Sequence, residues 1–312
     1  MKSINSEFLL VLLFLSISAL AIAAQNKSIL KNPPTEKSIN FIENKGQWNP
    51  DVLYLTKLNG VNAWLTKFGV AYDYFQLYQD TTEAKSDNFI KHNRDPKPSM
   101  APDENMKVKG HVIFMKFVGA QEYKKIDTNK LDELNDKTRS KSQGIDKQET
   151  YYNYFIGNDS TKWASYVPLY KEAYISDIYH GIDVRYYFDT DSNFLSPTQR
   201  RMKGVPYLRY DFVIHPGADL NQIKIIFEGA DSINVNEHGE LVLKTSLGDI
   251  RHGKLFTYQI DESKGQSLNQ DLKKKNEKRT LTEIECKYFK NSDGSVGFKA
   301  GSYDKKKTLI ID

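Results

Sequence analysis

From Ile182 to Phe188 every second residue, at 182, 184, 186 and 188, is apolar. The same period of two returns along most of the chain. Tyr210, Phe212 and Ile214 alternate with Arg209, Asp211 and Val213, and Ile223, Ile225 and Phe227 form a further stripe. A strand turns successive side chains to opposite faces, whereas a helix repeats every 3.6 residues, and sustained helical periodicity is scarce here. More runs of this kind cover Val61–Thr66, Gly69–Phe75, His111–Val118, Leu241–Thr245, Leu255–Ile260, Ile284–Phe289, Val296–Ala300 and Thr308–Ile311. Turn residues punctuate them: Asn236 to Gly239 separates two runs, and the Asp293-Gly294 pair suits a hairpin. About a dozen closely spaced strands predict an all-β fold of sandwich-like antiparallel sheets with little helix.

Aromatic content agrees, because rings lose rotamer freedom against a helical turn and pack well on pleated surfaces. The chain carries 19 Tyr, 16 Phe and three Trp among 312 residues. One cysteine excludes an internal disulfide framework and a multi-cysteine zinc site. Cys286 sits on the apolar side of an alternating run and reads as a buried, inert thiol. The net charge of +4 is local. Residues 271–280 carry five positive and two negative charges and Asp304–Lys307 three and one, which leaves −1 elsewhere. No basic face follows and no nucleic-acid partner is expected.

The N-terminus has Lys2, an apolar run of about 15 residues from Phe8 to Ile22, and then Ala23-Ala24. The run is short for a span across ~30 Å of hydrocarbon and ends on small residues, so residues 1–24 read as a secretory signal peptide. No stable membrane span is expected after cleavage. The product is expected outside the cell or on its surface, or in the periplasm if it is exported no further. Residues 25–38, with Pro33-Pro34, read as a disordered neck before a single β-rich domain over 39–312. Polar segments near 80–109, 121–150 and 261–280 read as mobile insertions. The first is expected to join two paired strands, and the second holds a weak helical candidate around Leu131 and Leu134. No internal repeat of 20–50 residues is evident.

Chemistry has few entry points. No two histidines lie at metal-ligand spacing, and HExxH, GxSxG, the P-loop and GxGxxG are absent. Asp189, Asp191 and Asn193 open like a calcium loop, but the sixth position is Phe194 instead of Gly and the twelfth is Arg200 instead of a carboxylate. A polar loop is the better reading, with a looser calcium site left open; no other cofactor is expected. Glu43, Asn44, Gln47 and Trp48 place an acid, two amides and an indole within six residues. The cluster fits a sugar site, with Trp48 stacking and the amides bonding hydroxyls. It fits a structural corner better: Gly46 turns the chain, Trp48 packs, and the polar groups satisfy strand ends. Gly46, Gly181 and Gly217 each sit where polar text meets strand text, which predicts positive φ at some of them.

Several segments in order resemble one family: FIENKGQW at 41–48, VNAWLTKFGVAY at 61–72, YFIGNDSTKW at 154–163, IYHGIDVRYY at 178–187, YDFVIHPGAD at 210–219, IKIIFEGA at 223–230 and VGFKAGSYDKKKTLIID at 296–312. They are similar to the uncharacterised N-terminal domain of secreted bacterial proteins that precedes SBBP-type beta-propeller repeats or gliding-motality-associated type IX sorting domains. The resemblance implies an extracellular or cell-surface module and supplies no catalytic residues. Such proteins usually continue into repeats, so a chain ending at Asp312 is either truncated or a stand-alone copy.

Three functions are weighed. A non-catalytic exported β module with a structural or adhesive role leads, its partners surface glycans or other cell-surface proteins. A carbohydrate-binding module is the alternative, and it fails if the rings of Trp48, Trp64, Trp163, Tyr186 and Tyr187 are all buried. A glycoside-active enzyme is last, since it needs paired carboxylates in one cleft.

Overall fold

Asn59-Gly60 shows how the chain builds its sheet. Leu58 pairs with Val61, so only two residues make the turn, and Gly60 supplies the positive φ of 76° that a tight hairpin needs. The computed structural model describes residues 39–79, 106–123, 141–189, 207–260 and 281–312. Its first five strands form an antiparallel meander: β1 (Phe41–Glu43), β2 (Val52–Leu58), β3 (Val61–Thr66), β4 (Gly69–Gln79) and β5 (Met106–Phe117). Gly69 opens β4 at φ 140°, where an added Cβ would lie 1.9 Å from the Met115 carbonyl oxygen. The pairing of β4 with β5 runs from Gly69↔Lys116 to Gln79↔Met106. The polar segment between them thus joins paired strands as expected, but Met106–Lys109 belong to β5 and not to the loop.

A long hairpin follows, β6 (Lys141–Tyr154) with β7 (Ala164–Tyr179). Here the sequence reading needs correction, because residues 141–150 were expected in an insertion and are strand. Among the described residues β6 pairs with β7 alone, and most of its side chains stay exposed or half-exposed on both faces, so no apolar alternation marks it. The chain continues through β8 (Ile182–Asp189), β9 (Tyr207–Ile214), β10 (Ile225–Glu228), β11 (Ser232–Val235), β12 (Leu241–Thr245), β13 (Gly248–His252), β14 (Thr257–Ile260), β15 (Thr282–Glu283), β16 (Cys286–Lys290), β17 (Val296–Ala300) and β18 (Thr308–Ile311). Two single-turn 3-10 helices, Ser160–Lys162 and Leu220–Gln222, complete the described elements. The expected signal peptide, the neck, the helical candidate at Leu131 and Leu134 and the 261–280 segment lie outside the described residues.

Fifteen strands share one sheet, in the order β15-β14-β18-β9-β8-β7-β1-β2-β3-β4-β5-β10-β17-β16, with β6 beside β7. β7 is the pivot. Phe41 and Ile42 of β1 pair with its Tyr170 and Leu169, while β8 pairs further along, from Ala173↔Tyr186 to Tyr179↔Ile182. The two halves fold face to face. Phe117 of β5 meets Phe212 of β9 at 5.6 Å between ring centroids, Phe212 meets Phe298 of β17 at 5.5 Å, and Phe41 stacks on Phe188 at 4.5 Å. The ends of the strand order nearly meet: Ile284 donates its N–H to the Thr257 carbonyl and Glu285 accepts from Gly301, both at 2.8 Å. The interior therefore holds the stripes seen in sequence, with Ile182, Val184, Tyr186, Phe212 and Ile214 buried. Each such side chain contributes roughly 1.5–3 kcal/mol by leaving water. β11, β12 and β13 form a separate three-stranded sheet, tied to β5 by His111, whose Nε2 is 2.8 Å from Gly229 O and Nδ1 2.9 Å from Ser246 Oγ.

Gly46, Gly181 and Gly217 have φ of 107°, 70° and 83°, as the turn reading predicted. Cys286 is a buried free thiol, and burial raises its pKa. No helix among the described residues is long and apolar enough to cross a membrane.

Candidate functional site

The four residues singled out at the first turn do come together. Asn44 Nδ2 donates to the carbonyls of Asn49 and Val52, each at 2.8 Å, and its Oδ1 accepts from Gly46 N–H at 3.0 Å and Trp48 N–H at 3.3 Å. Gln47 Oε1 accepts from Lys45 N–H and its Nε2 donates to Glu43 O, both at 2.7 Å. Asn44 thereby uses both donors and both lone pairs on the backbone around it. Glu43 Oε2 accepts from Tyr170 OH at 2.9 Å. The Tyr170 ring lies against Gly144, where a Cβ would fall 2.4 Å from ring Cγ. Trp48 is half-buried with its ring edge-on to Trp64 and Tyr154, at 5.5 and 5.3 Å.

Asp189, first of the calcium-loop residues, ends β8 as a buried side chain and accepts from Arg209 Nη1 at 3.2 Å. Asp191 and Asn193 lie outside the described residues. Among the described residues no group of three or more His, Cys, Asp or Glu side chains is arranged to hold a metal ion.

Asp189 belongs to a larger ionic cluster on the outer face of β7, β8, β9 and β18. Arg185 donates from Nε to Glu172 at 2.8 Å, reaches Asp211 at 3.5 Å, and lies 4.5 Å over the Tyr187 ring. Arg209 also pairs with Asp312, and Tyr187 OH is 3.1 Å from Asp211 Oδ1 and 3.3 Å from Asp312 Oδ1. Burial first, and then the Asp312 charge, push the Asp211 carboxyl up to about 7, against the pull of Arg185. Next to this cluster, Asp183 accepts from Tyr174 OH and from Asp177 N–H at 2.7 Å, and His215 Nε2 stands 2.6 Å from it. An open cleft of ≈ 440 Å³ runs along Asp219, Leu220, Phe289, Lys299 and Tyr303, and none of the carboxylates just named lines it.

One surface gathers exposed aromatic rings. At the end of the β6–β7 hairpin, Tyr151, Phe155, Trp163 and Tyr166 are 49%, 58%, 46% and 67% exposed. Alternation puts Tyr151 and Asn153 on one face of β6, and Phe155 follows directly after its last residue, Tyr154. Tyr166 packs on Tyr151 at 4.8 Å and Trp163 on Phe155 at 5.8 Å. Tyr166 has φ 52°, rare for a bulky residue, and sits where the β6–β7 register shifts. Its N–H donates to Asn153 Oδ1 at 2.9 Å. Trp163 is fixed from both ends: its backbone N–H donates to Ser160 O at 3.1 Å and its indole N–H to Gly157 O at 3.2 Å. Asp159 caps the short helix before it by accepting from Thr161 N–H at 3.1 Å. These are exposed rings held in place. On the opposite face Tyr152 leans on Tyr154, which continues through Trp48 to buried Trp64. Of the five rings that decide the sugar-binding alternative, Tyr186 and Trp64 are buried, Trp48 and Tyr187 half-buried, and Trp163 exposed. Sequence reasoning named Trp163 but missed Tyr151, Phe155 and Tyr166, whose only signal was aromatic density beside a Gly-Asn-Asp-Ser turn.

A family model described as a domain of unknown function, DUF7948, matches residues 41–312. The chain belongs to the DUF7948 family. The match begins at Phe41 in β1 and ends at Asp312, so this DUF7948 domain takes in the corner, the ionic cluster and the aromatic hairpin alike. No curated protein and no solved structure matches the chain.

Proposed function

We propose that this DUF7948 domain is a non-catalytic, exported β module that acts by contact, with a structural or adhesive role at the cell surface. It would stand at the N-terminal end of secreted proteins that continue into SBBP-type repeats or type IX sorting domains. The observation that carries the reading is the hairpin: four half-exposed rings on a rigid support form a surface for holding something. The carboxylates support it as well. Glu43, Asp183 and Asp189 are each engaged by a Tyr, His or Arg side chain within the fold. The reading is tested by coating beads with the purified chain and measuring their retention on cell envelopes under flow. Retention is expected to fall at least tenfold when Tyr151, Phe155, Trp163 and Tyr166 are all replaced by Ser, with the circular dichroism spectrum unchanged. Equal retention of folded wild type and variant would overturn it.

A further inference from the structure

We infer that the Tyr151–Asn153–Phe155 face, with Trp163 and Tyr166, is a binding site for a neutral polysaccharide chain. The inference rests on the reading of this hairpin as the contact surface. Four properties select the occupant. Ring faces carry partial negative charge, so they attract the C–H faces of a sugar ring, while Tyr151 OH, Tyr166 OH and the Asn153 amide stand beside them to bond hydroxyls. Trp163 offers only its ring, since its indole N–H is already donated to Gly157 O.

Size comes next. Aromatic side chains present about 150–250 Å² each, so four rings near half exposure offer roughly 400–500 Å². A stable protein interface needs about 800 Å² per partner, so this area suits an oligosaccharide better than a folded protein. Length says the ligand is a chain, because Tyr151 and Phe155 lie four residues apart, a reach of up to roughly 13 Å, with a ring pair at each end. Charge says it is neutral: residues 146–166 hold Asp146, Glu149 and Asp159 against Lys147 and Lys162, and Lys162 is paired with Asp159 at 3.7 Å. An anionic polymer or an acidic lipid surface would meet no excess of positive charge there. The rings are already ordered, with Tyr166 held by the Asn153 side chain, so little side-chain freedom is lost on binding.

The test is affinity electrophoresis of the purified chain in gels containing hydroxyethyl cellulose, laminarin, soluble starch or polygalacturonate, with sedimentation on phosphatidylcholine vesicles in parallel. Retardation by at least one neutral polymer is expected, with at least tenfold weaker binding for Trp163→Ala and Tyr166→Ala. Phe289→Ser, at the separate cleft, should bind like wild type. A measurement on the unmodified chain guards against misfolded variants: the same neutral polymer should protect Trp163 fluorescence from acrylamide quenching. Retardation by no neutral polymer, preference for polygalacturonate or vesicles, or full binding by both folded ring variants would overturn the inference. If the beads still adhere through the rings while every neutral polymer fails, the ligand class is wrong and the contact role stands. If ring substitution changes neither readout, both fall.

Discussion

Replacing Asp211 by Asn should flatten one component of the pH dependence of stability. Asp211 is 2% exposed on β9, between Arg185 and Tyr187 of β8, with Glu172 of β7 beyond Arg185 and Asp312 and Arg209 on its other side. Its carboxyl is pushed up from 3.8 to about 7, chiefly by burial. A raised carboxyl binds a proton more tightly in the folded chain than in the unfolded one. The stability it contributes is therefore fully present below pH 4 and is lost as pH rises toward 7. Three units at about 1.4 kcal/mol each give a loss on the order of 4 kcal/mol. Asn is neutral throughout and keeps the shape, so the variant escapes this loss. His252, lowered to about 4 by burial, slopes the opposite way, adding stability as pH rises from 4 to 6.5, but it is common to both proteins and cancels in the difference. Thermal unfolding followed by circular dichroism at pH 4, 5, 6, 7 and 8 reads the effect. At about 2–4 °C per kcal/mol for a domain of this size, the Tm of Asp211→Asn should gain roughly 10 °C on wild type between pH 4 and pH 8. Parallel curves would show that Asp211 is ionised in the folded chain at all these pH values and that the Arg185 pair, not burial, governs it.

Other positions give simpler expectations. Gly69→Ala should cost about 3 kcal/mol or more in urea unfolding, since the Cβ would need both a forbidden φ and the space of the Met115 carbonyl; a loss under 1 kcal/mol would mean the β3–β4 turn shifts freely. Asn44→Ala removes four hydrogen bonds at the corner, of whose acceptors Asn49 O keeps the Val52 N–H, and should cost about 2–3 kcal/mol by the same assay. Tyr186→Phe removes a fully buried hydroxyl that has no hydrogen-bond partner, so it should gain about 1 kcal/mol, and a clear loss would reveal a buried water bonded there. Cys286 should react with a thiol reagent at least a hundredfold more slowly in the folded chain than in urea.

Where two signals coincided the strands were legible to the residue. β3 and β17 carry alternation and β12 and β18 short apolar runs, each beside turn chemistry, and their observed limits are the ones read from sequence. β6 carries neither. With a partner on one side only, it has no buried stripe to impose an apolar period, and its Lys, Gln and Tyr residues read as a polar insertion. β7 is not legible as a strand for a different reason: it changes neighbours from β1 to β8 within one strand, and its bulges at Tyr166 and Asp177 reset the alternation twice.

The same physics explains why the corner was visible and the aromatic face was not. Asn44, Gly46 and Gln47 act on backbone within a few residues of themselves, so their pattern is local and sequence contains it. Tyr186 and Tyr166 are the same letter, each preceded by a polar residue and each in a strand. One is fully buried and the other 67% exposed, because β8 lies between two strands under the opposite half of the sheet while the end of β6–β7 leaves that face open among the described residues. A surplus of tyrosine thus serves two purposes in one chain. Inside, the rings fill a folded-over sheet at the cost of hydroxyls that must find partners, as Tyr179 does with Lys224 O at 3.1 Å and Tyr186 does not. Outside, the same amphipathic ring tolerates water on one side and a ligand on the other, which no Leu or Val at those positions would do.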